Sequence, residues 1–261
     1  MSYIKLKEIE DWLDKPLSKK IEIAERIIQD ALKQTTKQAV AFSGGKNSLV
    51  LLHLVLQFEP NIIVVFCNTG VEYPQNLKFV RRIAREWNLN FYELKPEKNF
   101  WQIVKKYGFP DHRRWYKKEP KCCWYLKNKP ANDFYKSNNI DCVFTGISAF
   151  ESRTRKLHIA NKGPLYWTKR IGDTKFKRPI LRAHPLAYWT DKDIWEYIEV
   201  KQLPINPIYD FADRNGCMTC TGFIGWEKQL SQVNPALYRR IMHMMGKRVL
   251  SDYGGIEFED T

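Results

Sequence analysis

The chain has 261 residues, 44% of them apolar and 14% aromatic, and a formal net charge of +14. That is enough for one large domain with a substantial core, and it excludes an intrinsically disordered chain. The charge suits nucleic acid and a multiply phosphorylated or sulfated small molecule equally well, and it says nothing about fold. The residues Met1 to Glu8 are too charged for a secretory leader. The longest apolar stretch, Ser48 to Leu56, is too short to span a bilayer and contains His53. A soluble, cytoplasmic protein is expected, in which six cysteines point to metal binding or catalysis before disulfides.

Residues 5–35 carry apolar positions at helical spacing, from Ile9, Trp12 and Leu13 to Ile27, Ile28 and Leu32, and predict one or two helices. The apolar run Gln38 to Phe42 predicts a strand, and Asn47 to Gln57 a helix. Asn61 to Cys67 reads as a buried strand, Pro74 to Trp87 as a helix, Phe91 to Leu94 as a strand and Phe100 to Tyr107 as a helix. After a basic loop from Asp111 to Lys121, a helix is expected over Cys123 to Ser137 and a strand over Ile140 to Thr145. This alternation predicts an α/β fold, a mostly parallel twisted sheet with helices on both faces. Beyond Gly146 the pattern is less regular, with a polar run Glu151 to Arg155 and a loop or hairpin over Lys156 to Lys177. Thr190 to Asp193 caps a helix reaching Val200, Leu203 to Pro207 is extended, and one last helix spans about Trp226 to Met245. Trp124, Trp195 and Trp226 fall at helical core positions.

Two constellations carry chemistry. Ser43-Gly44-Gly45-Lys46-Asn47-Ser48 lies between a predicted strand and a predicted helix. Glycines there let the backbone approach a phosphate, the N–H groups at the helix start bind anions, and Lys46 and the serines add a charge and hydroxyls. The spacing is not that of the P-loop, which needs Gly-x4-Gly-Lys-Ser/Thr. The second is the adjacent pair Cys122 and Cys123 together with Cys217-Met218-Thr219-Cys220. Four soft thiolates suit tetrahedral Zn²⁺ or an iron–sulfur cluster, and spacing alone does not choose. Vicinal thiolates bite awkwardly on one zinc, whereas separate irons can take one each. Cys142 reads as core. Cys67 ends a strand just before Asn68-Thr69-Gly70, a turn expected to face a nucleotide.

The glycine loop resembles the PP-loop of the adenine-nucleotide α-hydrolase-like superfamily, Ser-Gly-Gly-x-Asp-Ser, with Asn47 in place of the aspartate. That change fits a member that binds an adenylyl compound without cleaving ATP. Cys122 to Pro130 is similar to the Cys-Cys-x3-Lys-x2-Pro segment of cluster-containing phosphoadenylylsulfate/adenylylsulfate (PAPS/APS) reductases, and Gly216 to Thr221 to their Gly-Cys-x2-Cys-Thr segment. Thr145-Gly146-Ile147-Ser148 through Glu151-Ser152-Arg153 parallels Gly-Ile-Arg-x2-Glu-Ser, with Ser148 where an arginine is usual. His184 to Leu186, Asp193 to Ile198 and Leu203 to Tyr209 match as well, so the resemblance runs from about residue 38 to 222.

The resemblance implies the PP-loop architecture in a single domain: a helical segment 1–35, a nucleotide- and cluster-binding core 36–222, and a C-terminal helix and tail 223–261. It implies reduction of PAPS or APS to sulfite, with release of adenosine 3′,5′-bisphosphate or AMP, in sulfate assimilation. A [4Fe–4S] cluster is implied on Cys122, Cys123, Cys217 and Cys220, and Lys127 as the cation that tunes the sulfate site. From their place after the Gly146 strand end, Arg153 and Arg155 are candidates for the substrate anion, and Ser43 to Ser48, Asn68, Thr69, Gly70, Gly146, Glu151 and Ser152 are candidates for the nucleotide. A thioredoxin-like or other donor supplies electrons, and a homo-oligomer is compatible. The family's attacking thiol sits in a Glu-Cys-Gly segment, but Asp252 to Thr261 holds no cysteine. The thiol then comes from Cys67 or from a partner protein, or electrons arrive differently, or the reaction is another one. The rival is an iron–sulfur PP-loop sulfurtransferase acting on tRNA or DNA. The charge favours it; Asn47 and the lack of an RNA-binding module count against it. The basic run Arg113 to Lys118 and the group Lys169, Arg170, Lys175, Lys177 and Arg178 either gather substrate anions or coat the surface.

Overall fold

The computed structural model describes residues 3–111 and 120–246; the run Arg113 to Lys118 and the tail Asp252 to Thr261 lie outside the described residues. Two helices, α1 (Tyr3–Glu10) and α2 (Leu17–Gln34), precede β1 (Gln38–Ala41). Then follow α3 (Lys46–Leu56), β2 (Ile63–Cys67), α4 (Pro74–Glu86), β3 (Asn90–Leu94) and α5 (Phe100–Tyr107). The short α6 (Lys121–Cys123) runs through a π-helical turn, Trp124–Asn128, into α7 (Lys129–Ser137) and β4 (Cys142–Phe144). The second half holds α8 (Arg153–Lys162), β5 (Leu165–Ile171), β6 (Thr174–Ala183), α9 (Asp191–Val200), α10 (Trp226–Val233) and α11 (Pro235–Met244).

The six strands form one sheet in the order β3-β2-β1-β4-β6-β5. All neighbours are parallel except β5, which returns antiparallel along β6 at the edge. Alternate side chains leave each strand on opposite faces, and the core divides accordingly. Val40, Val64, Phe66, Cys142, Phe144 and Leu181 pack under α2, α3, α4 and α9. Ala39, Val65, Val143 and Ile180 pack under Tyr135 and its neighbours on α7. Near-continuous apolar strands are what a parallel sheet covered on both faces requires. The chain order reverses between β1 and β4, so the crevice outside the carboxyl ends of those strands is where an α/β sheet takes its ligand. Cys142 is fully buried, as read from the sequence, and burial pushes its thiol up to about 12.

Three elements differ from the sequence expectation. The stretch read as polar run and loop contains α8, started by Ser152, whose hydroxyl accepts from the Arg155 amide, before the β5–β6 hairpin. The helix expected over Cys123 to Ser137 begins two residues earlier and is wound as a π-turn across Trp124–Asn128. The last helix is two: Asn234 closes α10 and its side chain caps α11, and Pro235 has no N–H to continue the ladder.

Candidate functional site

The glycine loop leaves β1 at the switch point and turns into α3. Gly44 has φ +78°, and a Cβ there would lie 2.3 Å from Asn76 Oδ1 and 2.5 Å from Val80. Only glycine fits that approach. The loop is held from outside: Asn76 Nδ2 and Asn215 Nδ2 donate to the Ser43 carbonyl, and Asn206 Nδ2 to that of Gly44. Inside it, the Ser48 hydroxyl donates to the Gly45 carbonyl and accepts from the Ser43 amide. Gly146, at the end of β4, closes the other wall; a Cβ there would sit 3.0 Å from the Asn47 backbone. Ser43 to Ser48 and Gly146 are therefore brought together, as expected. Lys46 is engaged within the protein. Its amide donates to the Tyr209 hydroxyl, and its ammonium pairs with Asp191 at 2.9 Å, over the rings of Trp195 and Tyr209.

The segment from Gly146 onward is built by caps. Ser148, where an arginine was the usual residue, donates to the Trp189 carbonyl and accepts from Phe150, while Glu151 accepts from the Ser148 amide. Glu151 also holds Arg155 in an ion pair. Arg153 is exposed. Lys169, Arg170, Lys175, Lys177 and Arg178 are exposed on the β5–β6 hairpin.

The turn Asn68-Thr69-Gly70 is held by hydrogen bonds within the protein. Asn68 Nδ2 donates to Glu93 and its Oδ1 accepts from Gly70, while Thr69 is 1% exposed and its hydroxyl donates to Glu72 at 2.9 Å. The turn faces the cysteines, because the Cys217 thiol lies 3.6 Å from Thr69 Oγ1 and Glu72 pairs with Cys217 in an isolated β-bridge. Glu72, which no motif singled out, joins the two constellations. Asn76 Nδ2 donates to it while also holding Ser43, and the Lys127 ammonium stands 4.0 Å away.

Lys127 sits on the π-turn after the cysteine pair. The negative charge of the Cys217 thiolate foremost, with Glu72 and the Cys123 and Cys220 thiolates, pushes its pKa above the ordinary lysine value against the opposing effect of burial. Three of the four expected ligand cysteines, drawn from two distant segments, are thus near enough to act electrostatically on one ammonium. The fourth, Cys122, is packed with Phe100, Ile103, Val104 and Leu126. None of the six cysteines is in a disulfide. Among the described residues no three His, Cys, Asp or Glu side chains are grouped to hold a single metal ion. Cys67 donates its thiol to the Lys127 carbonyl at 3.3 Å, and burial pushes it up to about 11.

His158 and His184, which show no ligand spacing in the sequence, meet at 5.8 Å between ring centroids. Burial, aided by Arg182 and His158, holds His184 well below the usual histidine value. Unfolding frees it to take a proton near pH 6.5, so the unfolded chain binds more protons below that pH. Stability from this group is complete above about pH 6.5 and falls as the pH drops toward the folded value. The thermal midpoint is expected to decrease between pH 7 and 5, and to decrease less in His184→Asn.

Residues 37–223 match the description "Phosphoadenosine phosphosulfate reductase domain". The chain belongs to that family. It is 34% identical over 207 residues to Uncharacterized protein MJ0066 of Methanocaldococcus jannaschii, covering 77% of this chain and 40% of that protein. It is 28% identical over 183 residues to the adenosine 5′-phosphosulfate reductase of Lysinibacillus sphaericus, covering 69% and 72%. The chain therefore spans less than half of the first of these relatives. The phosphoadenylyl-sulfate reductase of Candida auris, solved with phosphate, shares the fold at 18% identity and a TM-score of 0.56, covering 83% and 96%. The Candida glabrata FMN adenylyltransferase, solved with FAD and pyrophosphate, does so at 14% and 0.57, covering 82% and 70%. The PP-loop type of α/β sheet is thereby established. No described helix is long and apolar enough to cross a membrane.

Proposed function

We propose that this phosphosulfate reductase family member reduces a sulfonucleotide, adenylylsulfate or its 3′-phosphorylated form, to sulfite. The observation that carries the reading is Glu72. It ties the loop that would hold the nucleotide, through Asn76, to the lysine and cysteines that would face its sulfate. We include a [4Fe–4S] cluster on Cys122, Cys123, Cys217 and Cys220. Four thiols from two segments are the donor set that such a cluster takes, one per iron. When bound, it would supply a cluster of sulfur-ligated charge beside Lys127.

The chain's own residues account for the rest. The N–H groups at the start of α3 and the Ser43 and Ser48 hydroxyls bind phosphate oxygens. Lys127, kept charged, stabilises the negative charge that builds on the sulfate and the leaving phosphate oxygens. Reduction of the sulfate sulfur to sulfite consumes two electrons. A dithiol supplies them and ends as a disulfide, while the nucleotide leaves as AMP or the bisphosphate. Cys67 is a poor candidate for the first attack, since its buried thiol at about 11 stays protonated near neutral pH. Cys67→Ser is expected to keep wild-type turnover, and a hundred-fold loss would make it the attacking thiol.

The test is anaerobic incubation with each sulfonucleotide and a dithiol, with and without thioredoxin, followed by assay of sulfite. Sulfite from either nucleotide, in proportion to enzyme, is the expected result. None from both under every reductant would sink the reading, and salt-sensitive binding of tRNA or DNA in that preparation would favour the sulfurtransferase. Iron analysis should give about four irons per chain; one zinc instead would reassign the cysteines.

A further inference from the structure

At the carboxyl end of β6, two buried side-chain nitrogens are left without hydrogen-bond partners. Arg182 lies on β6, directly opposite Val143 of β4 and Tyr166 of β5. It shares the sheet face of Ile180, two residues before it, and His184, two residues after, continues that face. Arg182 Nε is buried with no hydrogen-bond partner, and so is His184 Nε2. His184 is 0% exposed and its other nitrogen is taken, 2.6 Å from the Thr145 hydroxyl that precedes Gly146. His158 and Tyr166 close the group, 3.0 Å apart and with rings 5.8 Å from that of His184. The charged groups that act on these rings are Arg182, Arg155 and Lys162, all cationic. Among the described residues Arg182 has no carboxylate partner.

A partly buried guanidinium walled by neutral rings, with its Nε–H unused, carries an uncompensated charge and an unmet donor. Such a group calls for an acceptor-only partner whose oxygens match its fork, which is the chemistry of phosphate and sulfate. The place agrees. Cys67, in contact with Lys127, ends β2 on the same sheet face, and three strand steps of about 4.8 Å separate β2 from β6. Cys67 at the end of β2 and Arg182 near the end of β6 thus lie on either side of β1 and β4, the strands that lead into the glycine loop and Gly146.

We propose that Arg182, with His184, Tyr166, His158 and Arg155 around it, is a binding pocket for a tetrahedral oxyanion of the nucleotide. The inference rests on the sulfonucleotide reading for the name of that anion, but not for the pocket itself. Arg182 supplies two parallel N–H donors.

Titration calorimetry with adenosine, AMP, adenosine 3′,5′-bisphosphate and inorganic phosphate tests this on the protein, Arg182→Met and Arg182→Lys. Adenosine should bind equally to all three. At least one anionic nucleotide should bind ten-fold or more weaker to Arg182→Met. Arg182→Lys, which keeps the charge the fold surrounds but loses the fork, should be intermediate. A loss confined to the bisphosphate assigns the pocket to the 3′-phosphate, and a loss shared by AMP assigns it to the 5′ group. Equal affinities in all three proteins for every anion overturn the pocket. Arg182-dependent phosphate binding without sulfite formation keeps the pocket and removes the reductase. Sulfite formed by Arg182→Met from both the unphosphorylated and the 3′-phosphorylated sulfonucleotide, with unchanged kcat and KM for each, keeps the reductase and removes the pocket.

Discussion

Lys127→Met is expected to lower kcat/KM for the sulfonucleotide by roughly 10²- to 10³-fold, the loss typical of removing one fixed donor from a site of developing negative charge. The residue is placed by the π-turn that follows the paired cysteines, and its backbone carbonyl is fixed by the Cys67 thiol. Its ammonium faces Cys217, Cys123, Cys220 and Glu72 at once. No other described lysine has that setting: Lys46 is engaged by Asp191 and Lys129 by Asp133. Lys127→Arg keeps the charge and should recover part of the rate, while Lys127→Met should fall mainly in kcat if the charge acts on the transition state. Steady-state sulfite formation by the three proteins decides. Unchanged kcat/KM in Lys127→Met would remove the lysine from the chemistry.

The second large effect is on stability. Lys20 is 1% exposed and its ammonium lies 2.7 Å from Asp193 Oδ2. The same oxygen accepts from the Thr190 amide and hydroxyl, so Asp193 also starts α9, and the Lys20 carbonyl accepts from the Trp189 indole. Removing one partner strands a buried charge and, for Asp193→Ala, opens the cap as well. Lys20→Met and Asp193→Ala are each expected to cost about 3–5 kcal/mol. The double variant, with no buried charge left, should cost less than the sum. Urea unfolding of the four proteins measures this, with the midpoint moving and the slope constant. A loss below about 1 kcal/mol in both single variants would mean that the pair is solvated and contributes as a surface bridge does.

Much of this was legible in the sequence because local rules govern it. The strands were visible as apolar runs, the capping of α9 as Thr190 with Asp193 three residues on, and the turn from β1 into α3 as glycines between strand and helix. The paired cysteines and Lys127 could be read from spacing and resemblance alone. What escaped was long-range. Glu72 lies in an unremarkable turn and acquires its role only when Cys217 folds against it. Asn76, Asn206 and Asn215 brace the glycine loop across 33 to 172 residues of chain, and an asparagine carries no periodic signal. The same reason hid Arg182 and His184, whose spacing of two marks one face of a strand but not what faces it. The break at Asn234-Pro235 is different, since that dipeptide is itself a turn signal overridden by the apolar period on either side.

The central claim is that glycine loop, Glu72, Lys127 and cysteines are one site and not two. The most direct measurement is to titrate adenylylsulfate into the anaerobic, iron-loaded protein while recording its visible and electron paramagnetic resonance spectra, with calorimetry in parallel. A saturable spectral change whose midpoint equals the calorimetric Kd, and which disappears in Lys127→Met, is the predicted result. Calorimetric binding with an unchanged spectrum would contradict it, because the nucleotide would then occupy a place that the cysteines do not share.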